Sequence, residues 1–423
     1  MRHGTCRFTA FVCDIFWNLV STSGILPPFP VELVAMVNDS KRTATFDLFR
    51  NLFAVDARSL AILRILIALI VFVESIYCFG ALARELTEAN GVLTQLSSQD
   101  AYGAWSICWL SESDRWVWIC VLIKLIGSIS LLFGFRTFLV TAVCLVMSWS
   151  LQVSNPSIGL AGNELLRMVL FWGLFLPWGS CWSVDSTKNS SWRPDKWTVV
   201  SCGTAGIMLQ LASVYFFSGI ANHLSGHGVE NWIQTTQLNA TSFGSWITGY
   251  SATLEWAHPF ILTVFIAGSV LLFVPYVNQY WRGVMMALLL LGHIGTGLWM
   301  QSGIFSMVAI ATWFVFVPGS VWNILLVTPP KFDMVRRTGF HSLRQGWQGV
   351  CLVFVLFVLT LNILDVVRIE NEKVTSLDRL INGVANITMT QQDFRMFART
   401  PKESRGSRVS HKQKTKRPGR KRL

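Results

Sequence analysis

Two apolar runs decide the fold: VVSCGTAGIMLQLASVYFFSGIA at 199–221 and GVMMALLLLGHIGTGLWMQ at 283–301. They belong to a stretch, Lys196 to Lys331, that carries one basic side chain between those lysines, Arg282, in a chain with 35 Lys and Arg. Such a stretch reads as membrane spans joined by loops on the side of the membrane where Lys and Arg are scarce. Four of the seven histidines lie in it: His223, His227, His258 and His293.

Working outward, nine segments are long and apolar enough to span: 59–80, 116–134, 137–153, 164–178, 199–221, 260–276, 283–301, 303–318 and 349–367. Several fall near or below the ~20 residues a crossing helix needs, so their bounds are soft. The expected fold is therefore all-α, a polytopic transmembrane helix bundle of about nine spans. Apolar residues make up 52% of the chain and charged residues 14%, against roughly 25% charged in a soluble domain. The 19 Trp and 29 Phe suit aromatic belts at two interfaces.

Charge sets an expected orientation. The N-terminal flank holds Lys41, Arg42, Arg50 and Arg58, and the second turn Arg136. The fourth loop holds Lys188, Arg193 and Lys196, the sixth Arg282, and the eighth Lys331, Arg336, Arg337 and Arg344. The third, fifth and seventh loops hold none, and in the first loop Arg84 and Arg115 are offset by five acidic residues, Glu85, Glu88, Asp100, Glu112 and Asp114. The N-terminus is expected inside and the odd loops outside, in a cell membrane. Nine spans then leave the basic tail 368–423 outside, against the rule. Either the tail is long enough to escape it or one span is miscounted.

The net charge of +12 lies largely in that tail, which ends SRVSHKQKTKRPGRKRL. It describes a low-complexity segment and not a nucleic-acid groove, and anionic lipid or polymer is its expected partner. Residues 1–47 form an unassigned flank. FTAFVCDIFWNLV after Arg7 loosely resembles a signal peptide, but Asp14 interrupts it and no small-residue cleavage site follows cleanly. A start at Met36 is a further reading. The nine cysteines fall mostly inside apolar runs, with no CxxC pair, and read as packing residues.

Charges inside spans are costly and face a protein interior or a watery cavity. Glu74 lies roughly 9 Å from the outer end of the first span, and Lys124 and His293 roughly 12 Å from the outer ends of theirs. Glu164 and Arg167 mark the outer end of the fourth. Two readings stand: a Glu74–Lys124 ion pair that only fixes packing, or a shared pocket in which Lys124 or His293 moves a proton. His223, His227 and Glu230 have the i, i+4, i+7 spacing of a metal-binding helix face, but Ser225, Gly226 and Gly228 argue that the helix has ended, and no metal is expected.

Four stretches carry a family resemblance. VDARSLAILRILIALIVFVE (55–74), with Asp56 and Arg64, resembles the first span of the vitamin K-dependent gamma-carboxylase-like membrane family, the HTTM domain. NELLRMVLFWGLFLPWGSCWSVD (163–185) resembles its fourth-span motif. YFFSGIANHL (215–224) with Glu230, Asn231 and Trp232 resembles its YFxxG…K…W segment. GHIGTGLWMQSGIFSM (292–307) is similar to its histidine-bearing span. The likeness covers roughly 46–325 and implies an HTTM-like domain over 48–325, followed by a basic inner loop and last span at 326–367.

In the family's carboxylases a reduced vitamin K hydroquinone is deprotonated and reacts with oxygen. The strong base so formed takes a γ-proton from a substrate glutamate, and CO2 adds. The resemblance thus implies vitamin K hydroquinone or another quinone as cofactor. It implies catalytic candidates His293, His223 and Lys124, and substrate-binding candidates Glu74, Tyr215, Asn222 and Trp232. The lysine that should end the YFxxG helix is replaced by Asn222, and a carboxamide is no base. The family's glycine after Trp232 is Thr235, and the large extramembrane domain that holds peptide in the animal enzymes has no counterpart in 368–423. Three readings follow: quinone-linked chemistry in an outward-facing pocket, a catalytically silent relative that binds a lipid or protein partner, or a transporter. The last lacks an internal repeat.

Overall fold

A computed structural model describes residues 48–87, 104–111, 113–154, 161–188, 197–224, 240–248, 263–264, 266–270, 279–301, 303–325, 341–370 and 376–390. Strand β1 (Val55–Asp56) leads into helix α1 (Ala57–Thr87); a 3-10 turn (Ile107–Leu110) precedes α2 (Asp114–Phe133), and α3 (Thr137–Ser154) and α4 (Ala161–Gly173) follow. Next come α5 (Val184–Lys188), β2 (Thr198–Val199), α6 (Cys202–Leu224), α7 (Ser242–Thr248), α8 (Gln279–Trp299) and α9 (Phe305–Trp313). Helices α10 (Gly319–Leu325), α11 (His341–Glu370) and α12 (Ser376–Ile387) complete it. The two short strands pair antiparallel, Val55 opposite Val199.

Five of these helices are long and apolar enough to cross a membrane: Ala57–Gly80, Arg115–Phe133, Thr137–Ser154, Cys202–Ala221 and Gly346–Leu364. They match five of the expected spans. Their outward faces carry apolar stripes at helical spacing, such as Leu69, Val73 and Ile76 on α1, or Ile119, Leu122, Ile126, Ile129 and Phe133 on α2. A water-soluble bundle does not display such faces; lipid tails cover them at no cost. The molecule is a helical membrane protein.

The other expected spans differ. The run 164–178 forms only the 13-residue α4, because Pro177 cannot continue a helix and Trp178 folds back against Gly173. α4 is instead the buried centre of the bundle, with Leu165, Leu166, Met168, Val169 and Leu170 all shielded and α3, α6 and α9 around it. The run 283–301 gives an apolar helix, Gly283–Trp299, shorter than the five. The run 303–318 stops at Pro318, and the chain turns by 94° into α10. Val317 is extended there, and its carbonyl accepts from Ser59 Oγ at 3.0 Å, so α1 supplies the partner that the broken helix lacks. The expected span 260–276 lies mostly outside the described residues.

One end of the bundle gathers the N-terminus of α1, the α2–α3 turn, the loop after α4, and the starts of α6 and α11. The links are Ala57 N to Trp197 O (2.7 Å) and Cys202 N to Gln348 Oε1 (2.7 Å). The buried Arg64 donates to Trp182 O at 2.5 Å and lies over the α2–α3 turn. Gly134 forms that turn at φ +67°, and a Cβ there would stand 2.2 Å from Arg64 Nη1, so no larger residue fits. Asp185 caps α3: it accepts from Arg136 N (2.8 Å), Thr137 N (2.7 Å) and Thr137 Oγ1 (2.9 Å). Asp185→Ala removes all three bonds, and a cost of about 1–2 kcal/mol is expected. Thermal unfolding in detergent measures it, and Asp185→Asn should recover part of the loss. Arg58 and Arg136 make this the basic end of the bundle.

The opposite end holds the 3-10 turn, where Ser106 Oγ donates to Ser150 O at 2.9 Å. Gly162 at the start of α4 lies against Phe305. At the same end Thr241 N bonds Trp299 O (2.9 Å), and Trp105 Nε1 bonds Ile387 O of α12 (3.1 Å).

Candidate functional site

Among the described residues, two clusters of buried candidate groups lie within the spans. In the first, Lys124 Nζ of α2 stands 2.7 Å from Glu74 Oε2 of α1, with side chains 1% and 5% exposed. Cys144 of α3 sits within electrostatic reach of both. Gly127 makes room for it, since a Cβ there would stand 3.0 Å from the Cys144 sulfur. Glu74 spends one oxygen on Lys124, and its Oε1 has no hydrogen-bond partner among the described residues.

The second cluster joins α6, α8 and α9. Tyr215 Oη lies 2.7 Å from His293 Nε2, and Trp313 Nε1 donates to Tyr215 Oη at 3.2 Å. Tyr215, His293 and Trp313 are all buried, and the Phe305 ring stands 5.7 Å from the imidazole. The indole N–H can only donate, so the Tyr215 hydroxyl accepts from Trp313; toward His293 Nε2 it donates or accepts according to the imidazole tautomer. The result is a hydrogen-bonded chain, Trp313–Tyr215–His293, in an apolar surround where each bond is stronger than in water.

Glu74 and Lys124 therefore come together, while His293 takes Tyr215 as partner and Trp313 joins through the Tyr215 hydroxyl. Asn222 lies in α6 seven residues after Tyr215, which puts its backbone on the Tyr215 face about 10 Å further along. His223 is exposed in the last turn of α6. Trp232, His227, Glu230 and His258 lie outside the described residues. Among the described residues no group of three His, Cys, Asp or Glu could hold a metal ion. Trp313 is the member that the sequence conceals: it sits in an unbroken apolar run, 98 residues from the tyrosine it binds.

Two other polar sites are spent on structure. Arg167 donates to Gln152 Oε1 at 2.8 Å and lies over the Trp149 ring at 4.8 Å, tying α4 to α3. At the basic end a cavity of about 340 Å³ is lined by Asp56, Arg58, Trp197, Gly319 and Asn323, among others. Arg58 there binds both oxygens of Asp56, and also Asn323 Oδ1 at 2.9 Å. None of the candidate residues lines that cavity.

No protein-family model, curated protein or solved structure matches this chain.

Proposed function

We propose that this is a nine-crossing membrane protein, N-terminus inside, which handles a lipid-soluble quinone at the Tyr215–His293 pair in the manner of the gamma-carboxylase-like family. The observation that carries the reading is the pair itself: a phenol and an imidazole 2.7 Å apart, buried among apolar helices. Its chemistry fits a quinone. Phe305 and Trp313 offer aromatic faces for the ring, and the phenol–imidazole pair offers hydrogen bonding for a ring oxygen. Asn222, in the place of the family's lysine, follows two turns along the same helix face. The bilayer is the first partner, and the basic tail adds attraction to anionic lipid.

A second reading is a catalytically silent relative that binds a lipid or protein partner. It is supported by Lys124, whose ammonium is engaged by Glu74, and by the neutral Asn222: neither supplies a ready base. The exposed His223 remains as a substitute. A transporter finds less support, since the described residues hold one bent helix pair, α9–α10, with no counterpart.

Asn222→Lys separates the readings. In reconstituted membranes supplied with vitamin K hydroquinone, this substitution is expected to raise hydroquinone oxidation above wild type, because it restores the base on the Tyr215 face. If wild type and variant bind hydroquinone and neither oxidises it, the silent reading holds. If neither binds a quinone, the cofactor assignment is wrong.

A further inference from the structure

Three cysteines meet at the end of the bundle opposite the basic one. Cys78 belongs to α1, Cys108 to the 3-10 turn and Cys120 to the second turn of α2. All three are buried in one apolar cluster with Val117, Val121, Met147 and Leu151. The turn is clamped from two sides. Ser106 Oγ accepts from Cys108 N (3.0 Å) and donates to Ser150 O, and Ile107 N donates to Ser150 Oγ (3.1 Å). From α2, Trp116 Nε1 donates to Ile107 O at 2.9 Å. Trp116 stands one helical turn before Cys120, so this bond holds the turn that carries Cys108 against the Cys120 stretch of α2, and both thiols lie in the one buried cluster.

We infer that Cys108 and Cys120 form a disulfide that pins the 3-10 turn to α2. The inference rests on the proposed orientation, in which this end faces the outside and so an oxidising compartment. The bond forms by exchange. One thiol loses its proton and attacks an incoming protein or small-molecule disulfide; the second attacks the resulting mixed disulfide and loses its own proton. A Cys108–Cys120 bond forms, the incoming S–S bond breaks, and its two sulfurs take up the two electrons and leave as thiols. Both residues are nearly inaccessible once packed, so exchange precedes burial, during folding.

The basic end supplies an internal control. Cys202 and Cys351 lie within electrostatic reach of each other there, on the side expected to be reducing. They should remain thiols.

The test is thiol mapping of the full chain. Membranes are denatured in N-ethylmaleimide without reductant, digested and analysed by mass spectrometry. The expected result is a linked pair of peptides holding Cys108 and Cys120, released only by reductant, with Cys202 and Cys351 alkylated. Cys108→Ser should make Cys120 fully alkylatable, and Cys120→Ser should do the same for Cys108. Full alkylation of Cys108 and Cys120 in wild type overturns the inference, as does a bond from either one to Cys78. A parallel Ser242→Cys variant reports orientation, since Ser242 is an exposed residue of α7 at the same end. If it reacts with an impermeant maleimide in intact cells while Cys108 and Cys120 stay reduced, the disulfide alone is wrong. If it reacts only after lysis and Cys108 and Cys120 are reduced, the orientation is wrong and the disulfide falls with it.

Discussion

Lys124→Met lowers the stability of the folded protein by about 3–5 kcal/mol, and adding Glu74→Leu to the same chain restores most of it. The Glu74–Lys124 pair is shut away from solvent between α1, α2 and α3. Removing the ammonium strands a buried carboxylate. Its second oxygen has no hydrogen-bond partner among the described residues to share the load. The carboxylate must then take a proton or stay unpaired, and either course costs stability. Replacing both groups leaves two apolar side chains beside the buried Cys144, in a site shut away from solvent. Melting in detergent of the two single variants and the double variant closes the cycle. The same set reads chemistry. If Lys124 is only structural, the double variant keeps wild-type quinone handling; if Lys124 moves protons, the double variant is stable and inert.

His293→Ala is expected to cut hydroquinone turnover at least about 10²-fold, the scale of a lost proton-transfer group. Where wild type is inert, the effect is read in the Asn222→Lys background. Tyr215→Phe keeps the ring and removes the hydroxyl, which breaks the chain at its middle. It leaves Trp313 Nε1 without its Tyr215 acceptor, at a cost of about 1–3 kcal/mol in stability. Trp313→Phe removes the donor and leaves Tyr215 and His293 in place, so it should disturb turnover least. The order His293→Ala, Tyr215→Phe, Trp313→Phe, from strongest to weakest, is what a chain whose imidazole carries the proton transfer demands. Equal losses from all three, tracking their melting temperatures, would mark the cluster as packing.

The five long helices are legible in the sequence because each is a sustained apolar run with basic residues near one end. The polar members Glu74, Lys124 and His293 are legible for the same reason: an ionisable side chain within such a run stands out. Their partners are less visible. Depth counted along each helix places Glu74, Lys124 and His293 at similar heights, but it carries no information about which way each helix face turns. That is why the three residues fall into two clusters, the Glu74–Lys124 ion pair of one reading on α1–α2, and His293 apart from it on α6–α8–α9. Hydropathy also cannot see a change of direction. The run 303–318 is largely apolar, yet Pro318 ends it and Ser59, from the far end of the sequence, takes up the freed carbonyl of Val317. In 164–178 a single proline shortens an apparent span to a buried helix, and Trp178 folds back against its last residue. Trp313 has no sequence signature at all; only the crossing of α6 and α9 gives its indole a phenol to bind.

The most direct test of the quinone site is what the protein carries out of its own membrane. Wild type and His293→Ala are purified in mild detergent, and their bound lipids are extracted and identified by mass spectrometry. The account predicts a quinone that co-purifies with wild type in near-stoichiometric amount and falls at least tenfold in His293→Ala of equal yield and melting temperature. The same trace quinone in both, at the level of an unrelated membrane protein purified from the same cells, would contradict it.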